Sequence, residues 1–208
     1  MKKILLKGYN CPMDKKLILV AAPPACGKTY VSERIAQSIQ HIVYLDKDDL
    51  TELVRTSFAV AGNALDMDGA FYIENIRAAE YATLLHIALS TLRFEQYVLV
   101  NAPFGKEVRN VEFIKELKNK VNGLGAQLVL LWVTAPLDLC YQRMKKRNSD
   151  RDTLKLQNWD AYVKKINYEP PYALVQESAV DRFMVIDTKN EQSLNASMES
   201  ALNMIQKE

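Results

Sequence analysis

The apolar residues of this chain collect into five short unbroken runs, and most of the stretches between them read as helices. Lys16 to Ala22 (KLILVAA) is the first run, and it ends at a Pro-Pro turn, as a fully buried strand would. His41 to Leu45 (HIVYL), Tyr97 to Val100 (YVLV), Gln127 to Val133 (QLVLLWV) and Arg182 to Ile186 (RFMVI) are the others. Helices are predicted over about Lys28 to Ile39, Glu107 to Val121, Pro136 to about Arg147 and Glu191 to Gln206. The stretch from Asp66 to about Glu95 is rich in Ala and Leu and free of Pro, so it should add one or two more. Strands that are continuously apolar and alternate with helices predict a parallel sheet covered on both faces. The expected class is therefore α/β in three layers, as a single domain over 1–208.

Composition narrows the functions. About half of the residues are hydrophobic and a quarter are charged, which suits a globular protein with a full core. Lys and Arg total 27 against 25 Asp and Glu, and a formal charge of +2 argues against a general nucleic-acid binder. The N-terminal stretch MKKILLKGYNCPMDKK has too short an apolar core for a signal peptide, and no later stretch reaches the roughly 18 apolar residues of a membrane span. A cytoplasmic protein with no membrane partner is expected. Cys11, Cys26 and Cys140 are odd in number, far apart and without metal-ligand spacing, so they read as reduced thiols.

The chemistry begins at residues 22–29, APPACGKT, one residue away from G-x-x-x-x-G-K-[ST]. Such a turn wraps its backbone N–H groups around phosphates, and the helix behind it aims its positive end at them. Gly27 permits close approach, Lys28 reaches the β- and γ-phosphates of ATP, and the Thr29 hydroxyl ligates magnesium. Ala25, Cys26 and Tyr30 complete the expected ATP-binding stretch. Ala22 replaces the first Gly, which is tolerable at negative φ. Cys26 reads chiefly as a small residue that fits the loop, against an oxidisable thiol at a helix end. At the end of the second run, Asp46 and Asp48 flank Lys47, where ligands of open α/β sheets sit. Asp46 suits magnesium through water and Asp48 suits an acceptor base, although Asp48 or Asp49 is equally a candidate helix cap.

These residues resemble the small P-loop kinases, a group related to shikimate, gluconate, polynucleotide and antibiotic-modifying kinases. They are also similar to bacterial AAA-type ATP-binding proteins whose loop often reads A-P-P-A-S-G-K-T. The resemblance spans about residues 16–189 and rests on APPACGKT, Asp46 and Asp48, VLVNAPF, and the arginines after the fourth strand. It implies strand order 2-3-1-4-5, a helical lid over about 143–160 and an acceptor-binding helical segment over about 50–95. It implies that Arg143 stacks on adenine, and that Arg147 or Arg151 neutralises the transferring phosphoryl group. Thr188 and Asn190 correspond by position to an adenine cradle. Asn101 departs from the family, which usually carries Asp there to hold magnesium through water; Asp46 would then supply the missing charge. In the acceptor segment Arg55 and Arg77 suit a substrate phosphate or carboxylate, with Arg77 equally able to pair with Glu74 or Glu80.

The expected activity is a phosphotransferase that moves the γ-phosphate of ATP to a small-molecule or nucleotide acceptor. Lys28, Asp48 and Arg147 would be catalytic, Thr29, Asp46 and Asn101 would serve magnesium, and the chain would be a monomer or homodimer. Two alternatives stay open. One is an ATP-dependent binding module with little transfer, motivated by Asn101. The other is a polynucleotide 5′-kinase, disfavoured because Thr51 stands near the place of the usual Arg and Arg55 follows a turn later.

Overall fold

All five apolar runs become strands in the computed structural model, which describes residues 15–207, the side chains of Asp150, Arg151 and Leu154 excepted. The N-terminal stretch and Cys11 lie outside the described residues. The strands are β1 (Lys15–Ala21), β2 (Ile42–Asp46), β3 (Tyr97–Asn101), β4 (Ala126–Thr134) and β5 (Arg182–Asp187). They form one sheet in the order β2-β3-β1-β4-β5, with every pairing parallel. This is the order that the resemblance implies.

The two-residue period of a strand explains why these runs are apolar throughout. Leu17, Leu19 and Ala21 of β1 enter one core, while Ile18 and Val20 enter the other. The first core is closed by α4 (Arg77–Leu92) and α5 (Val111–Asn122), and the second by α1 (Lys28–Ser38) and α10 (Glu191–Gln206). Parallel strands end together at one edge, so the register sets Asp46 opposite Asn101, and Asn101 opposite Val20. The two polar strand ends are thus delivered beside the turn that follows β1.

Helix limits follow local capping. Asn190 accepts from Ser193 N–H at 2.8 Å, and α10 starts where the sequence places it. The helix expected from Glu107 starts later, because Asn110 caps α5 by accepting from Phe113 N–H at 3.1 Å. Glu107–Arg109 form a 3-10 turn instead. The polar stretch after α6 (Leu137–Arg147) is helical too, as α7 (Asp150–Gln157) and α8 (Trp159–Lys165). Asn148, left-handed at φ 47°, separates α6 from α7.

The segment between β2 and β3, expected to take the acceptor, comprises α2 (Thr51–Val60), α3 (Ala70–Asn75) and α4. Val54, Phe58 and Tyr72 form a third hydrophobic cluster there, apart from the two main cores. A buried ion pair anchors the segment. Lys47 donates to Glu80 Oε1 at 2.9 Å with side chains only 8 % and 2 % exposed, and Tyr72 donates to the other oxygen of Glu80. Glu80→Ala would strand the Lys47 ammonium in the interior. It should lower stability by about 3–5 kcal/mol, read as a lower urea midpoint at constant slope. Among the described residues no helix is long and apolar enough to cross a membrane.

Candidate active site

The turn after β1 is shaped by two left-handed residues, Ala25 at φ 65° and Gly27 at φ 93°. Ala22, in the place of the usual first Gly, is not among the positive-φ residues, and it is buried in the second core. Helix α1 starts directly at Lys28 with no side-chain cap and no acidic residue in its first turn. Its leading N–H groups therefore keep the partial positive charge that attracts anions.

Two groups hold the loop from behind. The buried Thr188 hydroxyl donates to the Cys26 carbonyl at 2.7 Å and accepts from Arg143 Nη1 at 2.9 Å. Arg143 Nη2 also donates to the Thr188 carbonyl at 2.8 Å, and Nη1 reaches the Ala25 carbonyl at 3.4 Å. The edge donors of the Arg143 guanidinium thus brace the loop. Of the two residues expected by position at the adenine, Thr188 clamps the loop and Asn190 caps α10.

Asn101 is fully buried and lies at the centre of a polar network. Its Oδ1 accepts from Lys28 Nζ at 2.5 Å and from Ser32 at 3.1 Å. Its Nδ2 donates to Asp46 Oδ2 at 2.5 Å and to the Tyr44 hydroxyl at 2.9 Å, and stands 3.4 Å from Thr29 Oγ1. An amide fits between an ammonium and a carboxylate because one end accepts while the other donates. An Asp here would turn a second carboxylate on Asp46. Asp46 and Tyr44 answer to each other as well: the tyrosine hydroxyl donates to Asp46 Oδ2 at 2.8 Å, and its pKa is raised, first by burial and then by that carboxylate. Thr29 and Asp46 thus set oxygens of the hard type that magnesium prefers beside the turn after β1, while Asn101 turns its amide nitrogen toward both and holds Asp46 in place. Asn101→Asp should make the protein's thermal stabilisation by magnesium and nucleotide larger than in the native chain, as a thermal-shift titration would read.

Asp46, not Asp48 or Asp49, caps the turn after β2, accepting from Asp48 N–H at 2.9 Å. That bond and the buried Lys47 fix where Asp48 stands. Asp48 lines a cavity of about 340 Å³ together with Ala25, Gly27, Lys28, Thr29, Tyr30, Arg143 and Arg147. The sequence names all of these, and the fold brings them together.

Three of the candidate residues lie outside the lining of that cavity. Cys26 turns its thiol into the core, away from the phosphate side, and packs 3.6 Å from Cys140. Burial and the Cys140 contact push its pKa up, opposite to the effect of a helix end. Arg77 pairs with neither Glu74 nor Glu80. It makes a two-pronged ion pair with Glu107 at 2.6 and 2.9 Å, lies over the Tyr81 ring, and lines a separate cavity of about 480 Å³. Arg55 is exposed on α2, 3.8 Å from Glu52, and lines neither cavity. The side chain of Arg151 lies outside the described part of the structure.

Two lining residues were not anticipated. Asp152, 1 % exposed, accepts from Arg147 Nε at 2.8 Å and Nη2 at 2.6 Å. Lys155 lines the same cavity and pairs at 3.0 Å with Asp68, so α7 is tied to the stretch between α2 and α3. Arg147→Ala should therefore do two things: slow turnover by on the order of a hundredfold, and destabilise the lid by leaving the Asp152 carboxylate unpaired. The Arg147→Ala/Asp152→Ala double variant should recover the melting temperature and not the turnover.

Sheet order, the turn after β1 and the polar strand ends together define the fold of a P-loop protein. The sequence profile of the AAA domain family matches residues 17–171, so the chain belongs to that family. No protein of curated function matches it. Among solved structures it is similar to the "putative kinase" of Chloroflexus aurantiacus J-10-fl, at 18 % identity over 93 % of this chain and 97 % of that one, with a TM-score of 0.63. It is similar to the APS kinase of Mycobacterium tuberculosis, solved with AMPPNP and APS, at 16 % identity over 93 % and 98 % of the chains and a TM-score of 0.53. A tunicamycin resistance protein of Deinococcus radiodurans aligns at 12 % identity over 91 % and 94 %, with a TM-score of 0.50. At such identities the likeness concerns the fold.

Proposed function

We propose that this protein binds ATP with magnesium and transfers the γ-phosphoryl group to a hydroxyl or phosphate of a small molecule. The observation that carries the reading is convergence: Lys28, Asp48 and Arg147, from three separate elements, line one cavity at an uncapped helix start. The loop amides and Lys28 would hold the β- and γ-phosphates. Asp48 would take the proton from the acceptor oxygen as that oxygen attacks the γ-phosphorus. Arg147 would balance charge on the phosphoryl oxygens as ADP leaves. Thr29, with Asp46 and Asn101 behind it, would hold magnesium, which would supply positive charge to the bound triphosphate. The APS kinase, solved with a nucleotide analogue and an acceptor together, supports a site of this kind with room for two ligands.

The test is incubation with γ-labelled ATP, magnesium and a pool of metabolites, followed by chromatography for a labelled product. A labelled small molecule that depends on the protein would support transfer. Tight ATP binding without any labelled product would instead favour an ATP-dependent binding module, the reading that Asn101 in place of an acid recommends. Label appearing on oligonucleotide 5′ ends would select the polynucleotide kinase.

A further inference from the structure

Cys26 and Cys140 are 114 positions apart in sequence, yet their sulfurs lie 3.6 Å from each other and both side chains are buried. Their positions are unequal. Cys26 belongs to the phosphate loop, between Ala25 and Gly27, which both line the cavity. Cys140 sits in the first turn of α6, the helix that carries Arg143 and Arg147 onward to the same cavity. No step of the proposed reaction uses either thiol.

Their environments make the pair asymmetric. The Cys26 S–H hydrogen bond lowers the pKa of Cys140, and the Arg143 guanidinium adds to this. The same contact and burial raise Cys26. The Arg143 guanidinium beside it makes Cys140 the better nucleophile of the two.

We propose that Cys26 and Cys140 form an oxidation-sensitive dithiol, which a peroxide converts to a disulfide that ties the phosphate loop to α6. The Cys140 sulfur attacks one peroxide oxygen, the O–O bond breaks, and a sulfenic acid and water result. The Cys26 sulfur then attacks the sulfenic sulfur, losing its proton as the S–O bond breaks and a second water leaves. In sum, two thiols and one hydrogen peroxide give one disulfide and two waters.

Bonding requires the sulfurs to close from 3.6 Å to about 2 Å. Cys140 lies in a helix and is fully buried, so the loop must give way. The residues beside Cys26 are both left-handed, and their amides depend on that conformation. Drawing Cys26 toward α6 displaces the N–H groups of the turn. On the ATP-binding reading, the oxidised protein loses affinity for nucleotide, and bound nucleotide in turn slows oxidation by holding the loop in place.

The experiment treats the full-length reduced protein with hydrogen peroxide, blocks remaining thiols and maps disulfides by peptide mass spectrometry, with ATP affinity measured in parallel. The expected result is a Cys26–Cys140 link that dithiothreitol reverses, with affinity falling at least tenfold on oxidation and returning on reduction. Cys140→Ala, checked by its melting curve, should form no such link and keep its ATP affinity after peroxide. Absence of the link, a bond to Cys11 alone, or irreversible oxidation alone would overturn the proposal, as would a link that leaves ATP affinity unchanged. Reduced protein that binds no nucleotide would sink the ATP reading, while the presence or absence of the link would still decide the dithiol.

Discussion

Lys28→Ala should weaken binding of a non-hydrolysable ATP analogue by at least about a hundredfold and abolish transfer. The ammonium stands at the first position of α1, 2.5 Å from Asn101 Oδ1, on the wall of the phosphate cavity. A charge-assisted hydrogen bond is worth about 1.5–3 kcal/mol, and on the ATP-binding reading Lys28 would make one to each of two phosphate groups. Removing it also leaves Asn101 Oδ1 with Ser32 as its remaining donor in the network, so some loosening of the strand ends should follow. Calorimetry with magnesium present separates the two effects. An unchanged affinity would mean that the turn does not hold phosphates, even if the melting temperature falls.

Asp48→Ala should lower turnover by about 10²–10⁴-fold, the usual worth of a positioned general base, with little change in affinity for ATP. The backbone there is held by the Asp46 carboxylate at 2.9 Å and by the buried Lys47–Glu80 pair next to it, so alanine should leave the turn in place. Single-turnover measurement with saturating ATP and the acceptor found in the labelling experiment is the direct check. If the variant turns over at the native rate, the proton leaves by another route and Asp48 has been misassigned.

The sequence disclosed the five strands to within one residue at each end because its signals are local and redundant. A parallel strand buried on both faces must be apolar through its middle, and β1, β3 and β4 are. The phosphate turn was equally legible, since conformation there is dictated by neighbours in the chain. What sequence could not supply was pairing across distance. Arg77 has acidic neighbours on its own helix and on the turn 30 residues later; the turn wins. Arg143 reads as a lid arginine, but only the packed structure shows Thr188 beneath it, 45 residues on. The link from Arg147 to Asp152 spans five residues across a left-handed Asn148, so no helical spacing announces it. Cys26 and Cys140 are the extreme case, since nothing in either stretch hints at the other.

The small cluster of Val54, Phe58 and Tyr72 has a consequence for how this scaffold diversifies. A region that carries its own hydrophobic cluster brings part of its support with it when transplanted, so the recipient's sheet need not be recut around it. The Lys47–Glu80 pair is the hinge pin that any such graft must preserve. Chimeras that exchange residues 51–76 between relatives, keeping both charges, should stay folded while their choice of acceptor moves with the donor.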